Sequence, residues 1–328
     1  MELRPGGSLI SPRGRVYLLG ERLGDGSFGD VFDAVGPFDQ RCAVKVFRPR
    51  LHQAAVREQW LKEASRLYQL RHPHIVYVYD YFEVAGLFFL VMERCDHTLE
   101  VMLSAPFTDR LVIEIMRQLL FAAQYLSDNE VLHNDIHAGN VLVVQGQNLI
   151  AKLSDLGIAQ DLSGRPSVRP EMVQHRIMAP ELVRGGYSTK QSDLYQLGLL
   201  MYHMHTAESA IDTSGGYDAM IEQIHEGVPR ARAEALRTPL GEIIAVMLRR
   251  HEQYRFASPA QVWEELRRLQ SWTEEHEPEV LSRNTAPLPP VATDDPDAAP
   301  DTIRDINRGD RRTIPVPPPL GPGGTKLQ

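Results

Sequence analysis

The period of apolar and polar positions changes along the chain. Residues 16–47 divide into short β-prone runs, and residues 75–82 and 87–93 repeat that character. Between them Val56, Trp60, Ala64 and Leu67 recur at helical spacing. This part of the chain therefore predicts a small sheet carrying one long helix. From Asp109 onward the pattern is mostly helical: Val112, Ile115, Leu119, Ala122 and Leu126 make one stripe of three- and four-residue steps. Ser188 followed three residues later by Gln191 has the form of a capping box, which predicts another helix start. Two β-prone runs, 141–144 and 149–153, flank a four-residue connection that contains Gly146, so a hairpin is expected inside the helical half. The chain reads as α+β, with a sheet-rich part followed by a helix-rich part.

The pattern stops near Trp272, the last aromatic residue. Beyond it, residues 273–328 hold eleven of the 23 prolines, with ten acidic and six basic residues. Such a segment buries too little apolar surface to offset the entropy of ordering it, so a disordered, proline-rich acidic tail is expected. The whole chain of 328 residues is 43% apolar and 24% charged, a globular composition. Its net charge of −8 has the wrong sign for binding nucleic acid or anionic lipid. No apolar run approaches the roughly 18 to 20 residues of a membrane span, and residues 1–10 lack the apolar core of a signal peptide. A cytoplasmic location, with neither nucleic acid nor membrane as partner, is the expectation. Cys42 and Cys95 are far apart and show no metal-ligand spacing, so both are expected as free thiols.

Gly24, Gly26 and Gly29 form a G-x-G-x-x-G string. Dinucleotide-binding folds use the same string to open a helix, but here a β-prone run, residues 31–35, follows and ends at Gly36-Pro37. The glycines therefore belong to a hairpin bend, where backbone N–H groups approach phosphates because no Cβ intervenes. A plain surface turn would use the same residues. Lys45 ends the next apolar run, Cys42-Ala43-Val44-Lys45, as an edge guard or as a phosphate ligand. Glu63 lies on the following helix, free to hold that ammonium or to stand in solvent. The most informative stretch is His133-Asn134-Asp135 with Asn140 five residues later, then Asp155-Leu156-Gly157 beyond the hairpin. Phosphoryl transfer needs a carboxylate at the attacking hydroxyl and oxygen ligands for Mg²⁺ beside the phosphates. Asp135 fits the first role; Asn140 and Asp155 fit the second.

In this order the motifs resemble the protein kinase family, of the bacterial or eukaryotic-like Ser/Thr type, over residues 17–269. Further matches are His72-Pro73-His74-Ile75-Val76, Leu90-Val91-Met92-Glu93, Met178-Ala179-Pro180-Glu181, the segment from Ser192 through Gly198, and Arg255 within Tyr254-Arg255-Phe256. The resemblance implies a two-lobed fold over 16–272, with an N-lobe at 16–93, a C-lobe at 97–272 and an N-terminal extension at 1–15. It implies ATP with Mg²⁺, or Mn²⁺ in its place, and transfer to Ser or Thr hydroxyls of proteins, this chain included. Lys45, held by Glu63, would grip the phosphates under the glycine-rich bend. Leu23, Val31, Ala43, Met92 and Leu142 would line the adenine pocket, Met92 as gatekeeper, with the backbone from Glu93 to Cys95 bonding the base. Asp135 would be the catalytic base, Asn140 and Asp155 the metal ligands, and Glu181 would pair with Arg255. Asp193 would anchor the catalytic loop, and Leu67, Val78, His133 and Leu156 would form a spine between the lobes.

Three departures from the family pattern matter. Asn134 replaces the arginine that usually precedes the base, and residues 158–178 contain Ser163 and Ser167 but no Thr or Tyr, so control by phosphate on that segment is expected to be weak. His137 stands where a lysine usually steadies the transferring phosphate, and Gln174 where a threonine usually touches that lysine and the base. An imidazole titrates near ~6.5, so a cationic donor there is present only part of the time at neutral pH; a neutral donor or a space-filling ring are the alternatives. The stretch from Asp135 through Asn140 is also similar to the loop of small-molecule kinases acting on aminoglycosides or choline, which lack the Ala179-Pro180-Glu181 segment. A weakly active kinase fold serving as a signalling scaffold is a third reading. In the tail, Thr302 and Thr313 would, once phosphorylated, suit a phosphothreonine-binding partner, and the prolines at 315 and 317–319 a polyproline-binding one; a solvated linker has the same composition.

Overall fold

The computed structural model describes residues 3–26, 29–47, 54–155, 160–162, 164–169 and 175–280. The sheet-rich part runs β1 (Ser8–Ile10), β2 (Val16–Gly26), β3 (Gly29–Val35), β4 (Arg41–Phe47), α1 (Ala54–Gln69), β5 (Val78–Val84) and β6 (Leu87–Glu93). The six strands form one antiparallel sheet in the order β1-β2-β3-β4-β6-β5. One face of it buries Tyr17, Phe32, Val44, Val46, Phe82, Phe89 and Val91. Across the other face lies α1, anchored by Trp60, whose ring stacks on Phe88 at 4.6 Å and meets Phe47 and Tyr81 edge-on. The periodic residues Ala64 and Leu67 pack beside it, with Val78 and Leu90.

β1 lies inside the stretch expected to be a mere extension. It pairs with β2, and the turn between them is held from the far side of the sheet: the buried carboxylate of Asp80 on β5 accepts hydrogen bonds from Tyr17, Arg13 and Arg15.

The helix-rich part begins with β7 (His97–Thr98), α2 (Leu99–Met102), α3 (Asp109–Asp128) and β8 (Val131–Leu132). It continues through β9 (Val141–Val144), β10 (Ile150–Leu153), β11 (Gln160–Asp161), α4 (Pro180–Gly185), α5 (Lys190–Thr206), α6 (Gly216–Glu226), α7 (Val228–Ala235), α8 (Pro239–Met247) and α9 (Pro259–Val280). The stripe of α3 is buried throughout, and this helix with α5, α8 and α9 supplies the main core. The β9–β10 hairpin is docked on α3 by Gln118, whose amide donates to Leu149 O and accepts from Ala151 N. That hairpin also meets the other lobe: Val76 N donates to Leu153 O, Leu153 N to His74 O, and buried Lys152 pairs with Glu93 at 2.9 Å.

Two sequence expectations need correction. The cap of α5 is Thr189, one residue beyond Ser188: Gln191 N donates to Thr189 Oγ1, and Thr189 N donates to Ser192 Oγ. Ser188 cannot cap, because its backbone pairs in both directions with Val168. α9 passes through the expected domain end at 272 and reaches Val280. Val262 and Leu266 dock the helix in the core, and residues 273–280 include four glutamates, good helix formers, which favour its continuation, and Pro278, which opposes it. The remainder of the expected tail, 281–328, with Thr302, Thr313 and the proline run, lies outside the described residues. Among the described residues no helix is long and apolar enough to cross a membrane.

Candidate active site

Strand register places the upper half of the site. Lys45 on β4 lies opposite Val31 on β3 and Leu90 on β6, and Ala43, two residues earlier, lies opposite Met92. Because side chains alternate across a strand, Ala43 and Lys45 share one face, and Val31 and Met92 fall beside them. Ala43 is buried; Val31, Met92 and Leu142 are half-buried, and Leu23 at the mouth is exposed. Gly24 pairs with Val31 and Gly26 with Gly29, so the glycines flank a hairpin bend as the sequence implied. Their demands differ. A Cβ on Gly24 would meet open space, whereas Gly29 has φ of +145° and a Cβ there would come within 1.9 Å of Val46 O. Gly29 is thus required by its own contact with β4.

The lower half is a loop between β8 and β9 whose backbone is pinned from beneath by α5. Asp193 accepts from His133 N at 2.8 Å and from Asn134 N at 2.9 Å. Gln196, one turn further along α5, accepts from Ile136 N at 2.9 Å and donates to Asn134 O at 2.9 Å. These four bonds hold the loop in a shape that includes Asn134 at φ +63°, a region that asparagine tolerates better than most residues. The Asn134 side-chain amide is buried, and neither its oxygen nor its nitrogen has a hydrogen-bond partner among the described residues. Asp193 is pushed up to about 6 by burial, against the pull of the two amides it accepts.

His133 is fully buried. Asp135 N donates to its Nδ1, so the ring proton sits on Nε2 and is given to Ser154 O at 3.1 Å. Burial drives this imidazole down to about 4, and it is neutral. The Asn140 amide donates to both Asp135 O, at 2.9 Å, and Asp135 Oδ2, at 2.8 Å. Asp135 Oδ1 is buried and has no hydrogen-bond partner among the described residues. Burial, reinforced by the charge of Asp155, pushes Asp135 up to about 6; the Asn140 bond and Lys45 oppose that rise.

Across the cleft, Lys45 Nζ reaches Asp155 Oδ1 at 2.5 Å, an ion pair between a strand of one lobe and the loop after β10 in the other. Asp155 stands at φ +57° with its carboxylate partly exposed. The donor set suits a hard divalent ion: a carboxylate, and an amide whose nitrogen is engaged with Asp135, leaving Oδ1 as its acceptor. Magnesium commonly takes only one or two protein oxygens and completes its shell with phosphate and water.

Further out, Glu181 at the start of α4 receives two bonds from the Arg255 guanidinium, at 2.8 and 2.7 Å, and a third from Ser192 Oγ at 2.6 Å. Both side chains of the ion pair are fully buried, and the guanidinium lies over the Tyr195 ring at 4.9 Å. Glu93, at the end of β6, is fixed by Lys152 and by its backbone N–H bond to Tyr77 O. Cys95 and Cys42 are free and buried, with burial pushing their thiols up to about 12 and about 11.

The structure therefore brings Lys45, Asp135, Asn140 and Asp155 to one cleft. Leu67 and Val78 pack in one cluster, while Leu156 lies outside the described residues, as do Ser163, Gln174 and the side chain of Glu63. Sequence reasoning missed Gln196 and Lys152. A signal for Gln196 exists, since it follows Asp193 by three residues and so shares a helix face with it.

A family model described as protein kinase domain matches residues 17–266. The serine/threonine-protein kinase PrkC of Bacillus subtilis is 28% identical over 233 residues, covering 69% of this chain and 35% of its own length. The serine/threonine-protein kinase PknB of Mycobacterium tuberculosis is 29% identical over 281 residues, 81% of this chain and 45% of its own. A probable serine/threonine-protein kinase zyg-1 of Caenorhabditis briggsae is 30% identical over 191 residues, 57% of this chain and 26% of its own. The matched part of each relative is less than half of that protein's length. A small antiparallel sheet with one helix, a larger helical lobe, and a cleft joining Lys45 to Asp155 agree with that match, and the chain belongs to the protein kinase domain family.

Proposed function

We propose that this chain transfers the γ-phosphate of ATP to Ser or Thr hydroxyls of proteins, in the presence of Mg²⁺. The observation that carries this reading is the Lys45–Asp155 ion pair at 2.5 Å, which joins the phosphate-side cation to a metal-side carboxylate across the cleft. In the reaction Lys45, supported by Glu63, grips the phosphates that the glycine-rich hairpin covers. Leu23, Val31, Ala43, Met92 and Leu142 enclose the base, which bonds the backbone between Glu93 and Cys95. Asn140 and Asp155 would hold Mg²⁺, whose role when bound is to neutralise phosphate charge. Asp135 accepts the proton of the attacking hydroxyl through Oδ1, the oxygen left without a partner while Asn140 occupies the other. Its position near 6 keeps it ionised at neutral pH while leaving it more basic than an ordinary carboxylate.

The buried Glu181–Arg255 pair favours a protein acceptor over an aminoglycoside or choline, because it rigidifies the Ala179-Pro180-Glu181 segment that small-molecule kinases lack. The assay is purified chain with Mg-ATP, a generic protein acceptor and an aminoglycoside, read by phosphosite mass spectrometry. Phosphoserine or phosphothreonine on protein is the expected product. Phosphate on the aminoglycoside alone would replace this reading, and nucleotide binding with no transfer would leave a scaffold. On the same reading, phosphate on Thr302 or Thr313 would give a phosphothreonine-binding module a docking point, and prolines 317–319 a polyproline groove. Partner capture with and without residues 300–328 tests both.

A further inference from the structure

Beside the base, the same loop holds a buried ring nitrogen that the proposed reaction leaves unused. His137 Nε2 has no hydrogen-bond partner among the described residues. It lies 3.7 Å from Asp135 Oδ1, which is likewise buried and without a hydrogen-bond partner among the described residues. That separation is too long for a direct bond and leaves each atom able to bond a third one.

The other ring nitrogen fixes what Nε2 has to offer. Gly139 N–H donates to His137 Nδ1 at 3.1 Å. An amide N–H has no acceptor capacity, so Nδ1 presents its lone pair and the proton of the neutral ring resides on Nε2. The contact depends on glycine: a Cβ at position 139 would lie 2.9 Å from His137 Cε1, 3.1 Å from Nδ1 and 3.1 Å from Glu100 Oε2. Around the ring stand Glu100 on α2, Asp135 and Asp155 from the loops, and Arg176 before α4; burial outweighs the two carboxylates that act on the imidazole and holds it below its ordinary value.

We infer that His137 is a tautomer-locked donor for the acceptor alcohol: Gly139 fixes the ring so that one hydroxyl oxygen accepts from His137 Nε2–H while donating its own proton to Asp135 Oδ1. The role rests on the phosphoryl-transfer reading above and deepens it. It differs from the role of a lysine at this place, since an ammonium would act on phosphate charge, whereas a neutral N–H orients the nucleophile. The lone pair that attacks phosphorus is then set by two bonds of opposite sense, and a group without a donatable proton cannot complete the pair.

Two measurements test this. The first is ¹⁵N NMR of histidine-labelled full chain at neutral pH, with the His137 signal assigned by its loss in His137→Gln. The expected signature is the Nε2–H tautomer; an Nδ1–H tautomer overturns the inference whatever the activity. The second is steady-state kinetics with Mg-ATP and a protein acceptor. His137→Ala and Gly139→Ala should each lower kcat/KM for the acceptor about tenfold, the size of one neutral hydrogen bond, with the KM for ATP changed less than about twofold. His137→Gln, which keeps an N–H donor, should recover most of the loss. Equal loss in the Gln and Ala variants, or unchanged acceptor kinetics in Gly139→Ala, would overturn the inference; thermal melts of all three check that they fold. An inactive wild-type chain would instead sink the phosphoryl-transfer reading and with it this role.

Discussion

The two lobes hold their shares of the cleft by different means. In the sheet-rich lobe, Lys45 is aimed by strand register, and the ion pairs nearby are partly exposed, such as Arg22–Asp30 and Arg94–Asp33. In the helical lobe, Asp135, Asn140 and Asp155 sit on loops, which have no register, and buried polar bonds replace it: Asp193 and Gln196 beneath, Glu181 with Arg255 behind. A ladder spreads its restraint over many backbone bonds and tolerates loss of one surface pair. A loop pinned by a few side chains does not, because each deletion leaves a desolvated group behind.

The contrast breaks if equivalent deletions cost the same in both lobes. Glu181→Ala strands the Arg255 guanidinium in the core and should destabilise by about 3–5 kcal/mol, read from urea melts. A loss near 1 kcal/mol would mean the pair matters little to the fold. Gln196→Ala removes the partners of Ile136 N and Asn134 O and should cost about 1–3 kcal/mol, with kcat falling more than the affinity for ATP. Unchanged kcat would show that the loop holds its shape without α5.

The lobes also differ in pH dependence, since the strongly shifted carboxylates and imidazole belong to the helical lobe. His133, at about 4 in the fold and near 6.5 when free, contributes stability that is present above 6.5 and lost as pH falls through 4. Asp193 and Asp135 act in the opposite sense: raised to about 6 from 3.8, their contribution is full below 3.8 and lost as pH rises through 6. Between 4 and 6 the two trends oppose each other. In metal-free protein His133→Phe should therefore gain stability, relative to wild type, as pH falls from 6 to 4; parallel curves would rule out the buried neutral histidine. The smallest effect is expected for Arg22→Ala in the sheet lobe, at most about 1 kcal/mol and reduced by salt.

Much of this was legible in the sequence where a local pattern carries the information. The α3 stripe, the β9–β10 hairpin and the chemistry-bearing motifs each sit within a few residues and obey a fixed spacing. What was missed depends on distant partners. Ser188 and Thr189 are equivalent as caps until the pairing of Ser188 with Val168 decides between them. The turn and second strand of the first hairpin are held by Asp80, more than sixty residues away. The end of α9 is set by how firmly its first turns dock, and the positions of Asp135 and His133 on the pH scale by burial that no motif encodes. The unprotonated Nδ1 of His137 likewise needed the Gly139 amide to be seen.

In the proposed reaction Asp135 accepts a hydroxyl proton within a cleft whose nucleotide is held by other residues. The most direct test of that role is phosphoryl transfer by Asp135→Asn at saturating Mg-ATP, with nucleotide affinity measured in parallel. A fall in kcat of at least about a hundredfold is expected, with ATP affinity within about twofold of wild type. Transfer at the wild-type rate by that variant would contradict it.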